Sequence, residues 1–308
     1  MGNRIQGSGI GGREMLSYEE FEIELMKELA KRYADAKIVK QSRYKFNKIK
    51  TGIVIEGPGN IHPTVYPEEL YEAYQRFKDM ELVIHSIDVA IECEKVEEFK
   101  TIIKDWEQAK EYIYPYIVNL DKNQLCMDCN EYVYREKLDF AHSIYLELPD
   151  DKDGGLACVN VTKDLLKLWN VSEDEVFEIA KKNAKYIVKP MKEVIAELMD
   201  LDCSELDISD DNVMYVLSNK TRNRGAAGLF DLELLNETAE DLQSDYYILP
   251  SSIHELIFVL EESIPTKEML KEMVEEINQT QVKEEEFLSN NIYYYSREKN
   301  NVEIVSMD

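Results

Sequence analysis

The chain has 308 residues, 44% of them hydrophobic, and its 62 acidic and 36 basic residues give a formal net charge of -26. A chain of this length buries roughly three quarters of the surface that its unfolded form exposes, so one large or two modest domains are expected. The charge opposes binding to nucleic acid and to anionic membranes. No apolar run reaches the roughly 18 residues of a spanning helix, and no signal-peptide core is present, which predicts a cytoplasmic protein.

The first fourteen residues, MGNRIQGSGIGGRE, contain five glycines and no apolar periodicity. This composition is typical of a flexible arm or a vector-derived remnant. Gly7, Gly9 and Gly12 satisfy G-x-G-x-x-G, but no hydrophobic strand precedes them, so we favour an arm over a dinucleotide site.

The first half of the chain alternates helical and extended patterns. Ser17 and Glu20 have capping-box spacing before an apolar stripe, which predicts a helix over 18–34. Further predicted helices cover 68–77, 79–93 and 105–112. Predicted strands cover 37–46, 51–56, 64–66 and 114–120.

The second half repeats the alternation and adds a turn at 150–155. Predicted strands cover 132–134, 143–148, 156–161, 213–217, 246–249 and 255–260, with a closing hairpin over 292–295 and 302–305. Predicted helices begin after Thr162 and Ser172 and cover 189–199, 232–242 and 266–279, the last with Met269, Met273, Val274 and Ile277 inward. Strands in hairpins and between helices indicate an α+β protein with mixed or antiparallel sheets and flanking helices. We expect two subdomains, over 15–120 and 121–308.

The segment YYILPSSIHELIFVL (246–260) brings Ser252, His254 and Glu255 together in sequence. If a strand begins at Glu255, Ser252 and His254 point to one face and Glu255 to the other, which is poor geometry for a catalytic relay. Pro250 and the two serines suit a connection between strands. We therefore favour a structural turn and keep His254 as the best single residue to test.

Five cysteines without a dense, even spacing predict reduced thiols rather than disulfides. Cys126 and Cys129 form the only C-x-x-C motif, and His142 follows, which resembles half of a zinc-finger ligand set. The second histidine is missing, so we favour plain thiols and expect neither a metal nor any other cofactor.

Two stretches are basic. Lysines and aromatic residues alternate over 37–50, and we interpret the lysines as neutralising acidic helices and protecting a sheet edge rather than holding phosphate. Lys220, Arg222 and Arg224 lie in a loop after a strand and are candidate anion-binding residues.

Several motifs together resemble one family: MYVLSN (214–219), YYILPSSIHELIF (246–258), NQTQV (278–282) and LSNNIYYYSRE (288–298). They are similar to domain-of-unknown-function family 5688, and the resemblance extends from about Met15 to Glu298. It implies a bacterial protein of a family without an assigned function, often encoded near mobile elements. The resemblance brings no established reaction, cofactor or partner.

The leading functional hypothesis is a non-enzymatic protein-binding module whose acidic surface favours a basic or nucleic-acid-handling protein, for example as a DNA mimic. The alternative is an enzyme, a hydrolase or nucleotide-processing protein, that uses His254 with Glu255 or Ser252. A pocket that gathers His254 and the loop arginines would favour the enzyme. The sequence does not reveal the oligomeric state.

Overall fold

The computed structural model describes residues 15–57, 63–91, 99–148, 157–206, 214–263 and 266–307. The predicted arm over 1–14 and the predicted turn over 150–155 lie outside these ranges. The chain divides into two compact units, Met1–Arg43 with Ile49–Val96, and Tyr44–Lys48 with Glu97–Asp308. The sequence placed the division after residue 120, whereas residues 113–119 form a strand that pairs inside the second unit.

In the residues that the structure describes, the first unit combines three helices with a three-stranded sheet of order β1-β2-β3. Ser17 and Glu20 form the predicted capping box, and the first helix buries Phe21, Leu25 and Leu29. The predicted helix and its apolar face are therefore confirmed. The helices are α1 (Tyr18–Arg32), α2 (Pro67–Phe77) and α3 (Met80–Ile91), and the strands are β1 (Lys37–Lys45), β2 (Lys48–Glu56) and β3 (Thr64–Val65).

Lysines of the basic stretch pair with acids inside the first unit. Lys40 Nζ lies 2.6 Å from Glu22 of α1, and Lys50 Nζ lies 2.7 Å from Glu69 of α2. These contacts agree with the interpretation that the lysines neutralise neighbouring acidic residues. Each exposed pair contributes at most about 1 kcal/mol.

The second unit begins with a four-stranded antiparallel sheet. Its central strand β6 pairs with β4 along one edge and with β5 and β7 along the other. The elements are α4 (Trp106–Ala109), a 3₁₀ helix (Lys110–Tyr112), β4 (Ile113–Asn119), α5 (Leu120–Cys129), β5 (Tyr134–Lys137), β6 (Phe140–Leu148) and β7 (Ala157–Asn160). Helix α5 was not predicted, although the Asn119 side chain caps it by accepting from Lys122 N.

A six-stranded sheet of order β13-β12-β10-β11-β9-β8 completes the second unit. Its paired strands are antiparallel, which confirms the predicted α+β class. The helices are α6 (Lys163–Trp169), α7 (Glu173–Asn183), α8 (Met191–Met199), α9 (Leu232–Leu242) and α10 (Lys267–Thr280), with 3₁₀ helices at Cys203–Glu205, Gly225–Phe230, Glu261–Ser263 and Glu284–Glu286. The strands are β8 (Tyr186–Pro190), β9 (Met214–Asn219), β10 (Tyr246–Ser252), β11 (Glu255–Leu260), β12 (Tyr293–Ser296) and β13 (Asn301–Ile304).

Two sequence predictions for this unit were wrong. Lys189 and Pro190 end the edge strand β8 instead of starting a helix, and a proline at the end of an edge strand interrupts no ladder bond. Met269 and Met273 of α10 are 52% and 37% exposed, because Leu270 and Val274 occupy its buried face. None of the helices in the described ranges has the length and apolarity that a bilayer crossing requires.

Asp139, in the two-residue turn between β5 and β6, connects the two sheets of the second unit. Its Oδ1 accepts from the hydroxyl of Tyr293 on β12 at 2.6 Å. Its Oδ2 accepts from Ser289 Oγ at 2.6 Å and from Asn291 Nδ2 at 3.1 Å. Tyr293 and Ser289 are buried, so these hydroxyls have no access to replacement water.

Replacing Asp139 with alanine is expected to lower the free energy of unfolding by about 2–4 kcal/mol, because buried donors lose their acceptor. Urea unfolding measures the change. Asp241→Ala, which removes an exposed aspartate of α9, is the control and should change stability by less than about 0.5 kcal/mol. Equal effects of the two substitutions would contradict the assigned role of Asp139.

Candidate functional site

The segment around His254 forms a β-hairpin. Strand β10 continues through Ser252, which pairs with Glu255, so Ile253 and His254 form the turn. Pro250 and the serines therefore lie inside the strand rather than in the connection. Pro250 pairs with Leu256 beside an irregularity of register, and it lies beyond the part of β10 that pairs with β12, so its missing N–H leaves no gap in the ladder.

The contacts of His254 do not assemble a serine–histidine relay. Its Nδ1 accepts from the backbone N–H of Arg224 at 3.2 Å, which assigns the ring proton to Nε2. Nε2 lies 4.0 Å from Glu286 Oε1. Burial lowers the pKa of His254, against the opposing charge of Glu286. The hydroxyl of Ser252 accepts from the backbone of His254 at 3.1 Å, whereas Glu255 lies at hydrogen-bonding distance from Ser251.

Residues 219–224, which we call the Asn219 loop, wrap around one amide side chain. Asn219 Nδ2 donates to the carbonyl of Asn223 at 2.6 Å, and its Oδ1 accepts from Asn223 N at 3.1 Å and from Thr221 Oγ1 at 3.0 Å. Arg222 and Arg224 have φ of 52° and 55°, in the left-handed region. Strain of this kind persists where surrounding contacts determine the backbone, and it is common at functional sites.

The three basic candidates of the loop do not converge. Arg222 pairs with Glu197 of α8 at 2.8 Å. Arg224 places its guanidinium carbon 4.3 Å from the ring centroid of Tyr145 and 5.0 Å from that of Tyr116. Lys220 is exposed and lines two cavities, one of about 410 Å³ that neither arginine lines and one of about 130 Å³ that Arg222 also lines. The predicted anion site therefore does not form as one cluster of these residues.

Gly225 follows the loop and begins a 3₁₀ helix whose first five residues are buried. A Cβ atom at Gly225 would lie 2.6 Å from Ser218 Oγ, 2.7 Å from Asn219 N and 2.7 Å from the carbonyl of His254. Two of these atoms belong to the backbone and cannot rotate away. Only glycine allows this approach of the 3₁₀ helix to β9 and to the hairpin turn.

The structure does not gather Cys126, Cys129 and His142 into a metal site. Cys126 is buried in α5, where burial raises the pKa of its thiol to about 11, and Cys129 is exposed. The ring centroid of His142 lies 5.2 Å from that of Phe177 and 5.2 Å from that of Phe230, and its buried Nδ1 has no hydrogen-bond partner among the described residues. Within the described ranges, no three His, Cys, Asp or Glu residues are grouped to hold a metal.

Sequence reasoning missed a cavity of about 410 Å³ in the second unit. Tyr114 and Tyr145, directly opposite each other on β4 and β6, contribute to its wall with Glu147 and Tyr186. Alternate residues of a strand lie on the same face of the sheet, so the sequence indicates which residues of one strand share a face. It does not reveal which strands pair. His254 and Arg224 are not among the residues that line this cavity.

The fold defines an α+β protein with antiparallel sheets. The model of the family described as "Family of unknown function (DUF5688)" matches residues 18–297, and the chain belongs to that family. The resemblance seen in the sequence motifs is thus confirmed. No curated protein matches the chain, and no solved structure matches it.

Gly225→Ala is expected to lower the free energy of unfolding by about 1–3 kcal/mol, because the added methyl group overlaps backbone atoms. Gly57→Ala is the matched control, since no atom of the described residues, its chain neighbours aside, lies within 4 Å of the Cβ added there. Chemical denaturation of both variants measures the difference. If both changes were neutral, the close approach at Gly225 would not be a constraint.

His142 predicts a pH dependence of stability. Burial lowers its pKa from 6.5 to about 3, and Lys137 and Arg135 act in the same direction. As the pH falls below 6.5, the unfolded chain binds a proton that the folded chain excludes. Stability is then lost by up to about 1.4 kcal/mol per pH unit until the pH approaches the folded pKa.

In His142→Phe this contribution is absent, so the stability of the wild type relative to the variant should fall between about pH 7 and about pH 5. Urea unfolding at both values measures the difference, and comparison of two chains cancels the titration of the carboxylates. Parallel pH profiles of the two proteins would show that His142 protonates equally in both states.

Proposed function

We propose that this protein binds a basic, amphipathic segment of another protein through the exposed face of α10. The sequence predicts an acidic protein-binding module, and we assign that binding to this one surface of the molecule. The observation that carries it is the pair of exposed methionines on that helix, Met269 and Met273, beside a row of acidic residues.

The methionines supply the apolar part of the surface. Met269 and Met273 are spaced by four residues, so they lie one above the other on the helix. Each of the buried residues Leu270 and Val274 follows a methionine by one position and so lies about 100° from it around the helix. They set the orientation of α10 by packing against Tyr247 and Leu249 of β10. Methionine is flexible and polarisable, and it is common on surfaces that accept varied helical ligands.

Glutamates supply the charge. Glu268, Glu272 and Glu276 are exposed and are also spaced by four residues, so they form a row along α10 beside the methionines. Lys271 does not neutralise this row, because its Nζ donates to the carbonyl of Asn290 at 2.8 Å and pairs with Glu275 at 3.2 Å. An apolar strip with an acidic border complements a helix that has apolar residues on one side and lysines or arginines beside them.

The net charge of -26 supports the same class of partner, since it attracts basic proteins over long range. A nucleic-acid-handling protein is one such partner, and the surface would then compete with its nucleic acid. The hydrolase alternative has no comparable support, because Ser252 Oγ bonds to the backbone of His254 rather than to its imidazole.

The test uses a synthetic amphipathic peptide of leucines and lysines as the probe, with affinity measured by fluorescence anisotropy at low and at high salt. The triple variant Glu268→Lys, Glu272→Lys and Glu276→Lys should bind at least about tenfold more weakly, since three contacts of about 0.5 kcal/mol each are lost. Met269→Gln with Met273→Gln should weaken binding at both salt concentrations, because the apolar contact is not screened.

The matched control replaces three exposed glutamates of α9 with lysine, Glu233, Glu237 and Glu240, and thus changes the net charge equally. This control should retain most of the affinity. If both triple variants lost affinity alike, attraction to the whole acidic protein would explain binding, and the assignment to α10 would fail.

A further inference from the structure

The cavity of about 410 Å³ in the second unit has the size of a small-molecule site. It lies between the β4–β6 pair and the start of β8, beside the Asn219 loop. Three tyrosines line it, and Asn219 and Lys220 of the loop reach it together with Lys185. All of these residues belong to the second unit.

Aromatic rings form much of its wall. The rings of Tyr114 and Tyr145 have centroids 5.9 Å apart at an interplanar angle of 45°, and Tyr186 is the first residue of β8 in the six-stranded sheet. Burial raises the pKa of Tyr145 and of Tyr186, so their hydroxyls remain protonated at neutral pH. The faces of neutral tyrosine rings attract cations. The rings also bury apolar surface when an apolar group packs against them.

Glu147 is the one acidic residue among the described residues that line the cavity. It is only 9% exposed. Its carboxylate accepts from Tyr145 OH at 3.1 Å and from Asn223 Nδ2 at 3.0 Å, and both donors are neutral. Within the described part of the chain, no lysine or arginine nitrogen lies within ion-pair distance of it.

The nearby cation, Arg224, does not meet this carboxylate. Its guanidinium lies over the ring of Tyr145, and Nη1 donates to Asn160 Oδ1 at 3.4 Å. A buried carboxylate with neutral donors alone is costly, and a cation that reaches it regains the lost interaction. Lys185 and Lys220 line the cavity as well, but among the described residues neither forms an ion pair with Glu147, so a ligand is positioned to supply the positive charge that this carboxylate favours.

We propose that this cavity binds a small organic amine with an aromatic or apolar body, of the amino-acid class. The ammonium group donates to Glu147 and lies against the tyrosine rings, while the body fills the aromatic part of the cavity. Lys220 and Lys185 are exposed at the rim, where they suit the carboxylate of an amino acid. The site requires no contribution from α10.

The test titrates the full chain with three probes by calorimetry: L-phenylalanine, phenethylamine and 3-phenylpropionate. These share one aromatic body and carry an amine with a carboxylate, an amine alone and a carboxylate alone. L-phenylalanine and phenethylamine should bind, and 3-phenylpropionate should not. Binding of the carboxylate-only probe as tightly as the amine, or absence of binding by either amine, would overturn the proposal.

Glu147→Gln should weaken binding of both amines at least about thirtyfold, because the ammonium loses its buried counter-charge. Glu136→Gln, which neutralises an exposed glutamate of β5, is the matched control and should bind as the wild type does. Lys220→Gln should weaken L-phenylalanine but leave phenethylamine unchanged, and this exposed substitution remains informative if Glu147→Gln fails to fold. Unchanged amine affinity in a folded Glu147→Gln, or an equal effect of Lys220→Gln on both amines, would contradict the assignment.

Discussion

The close approach of the 3₁₀ helix Gly225–Phe230 to strand β9 and to the hairpin turn is the constraint on which the second unit depends. A side chain at Gly225 would overlap Asn219 N and the carbonyl of His254, and one at Gly228 would approach Leu217 Cδ2 to 2.7 Å. The small residues let a buried backbone segment pack at van der Waals distance from the sheet. Because the 3₁₀ helix is held at this contact, the ends of the loops on either side of it are held as well.

This constraint determines the geometry at His254 and at Glu147. His254 accepts from Arg224 N and holds the start of the 3₁₀ helix, so its imidazole serves the backbone. The same loop carries Asn223 to Glu147, where its amide supports a carboxylate that faces a cavity. Arg222 and Arg224 accept left-handed backbone angles for this geometry. Backbone strain of this kind is a free-energy cost of holding polar groups in place beside a cavity before any ligand binds.

Local signals predicted much of the fold. The capping box at Ser17, the helix over 232–242 and the closing hairpin needed only neighbouring residues, and the structure contains all three. The local signals failed where contacts between distant parts of the chain determine the structure. Helix α10 exposes Met269 because the orientation of the helix depends on the sheet against which it packs. The cavity was beyond the sequence for the same reason, since Tyr114 and Tyr145 meet through a strand pairing that no local pattern specifies. At His254 the sequence favoured a turn over a catalytic relay, and the structure places His254 in the turn between β10 and β11.

Native-state hydrogen exchange tests the central constraint most directly. The amides of Asn223, Arg224 and Ala226 donate to Asn219 Oδ1, His254 Nδ1 and the carbonyl of Ile253. These acceptors belong to two elements, the end of β9 and the β10–β11 hairpin turn, which one packing contact holds together. If the 3₁₀ helix is the constraint described here, these amides exchange only with global unfolding of the second unit, at the free energy that denaturation measures. Exchange of the three amides at a much lower free energy, while the strands remain protected, would show that the loop opens independently and would contradict the account.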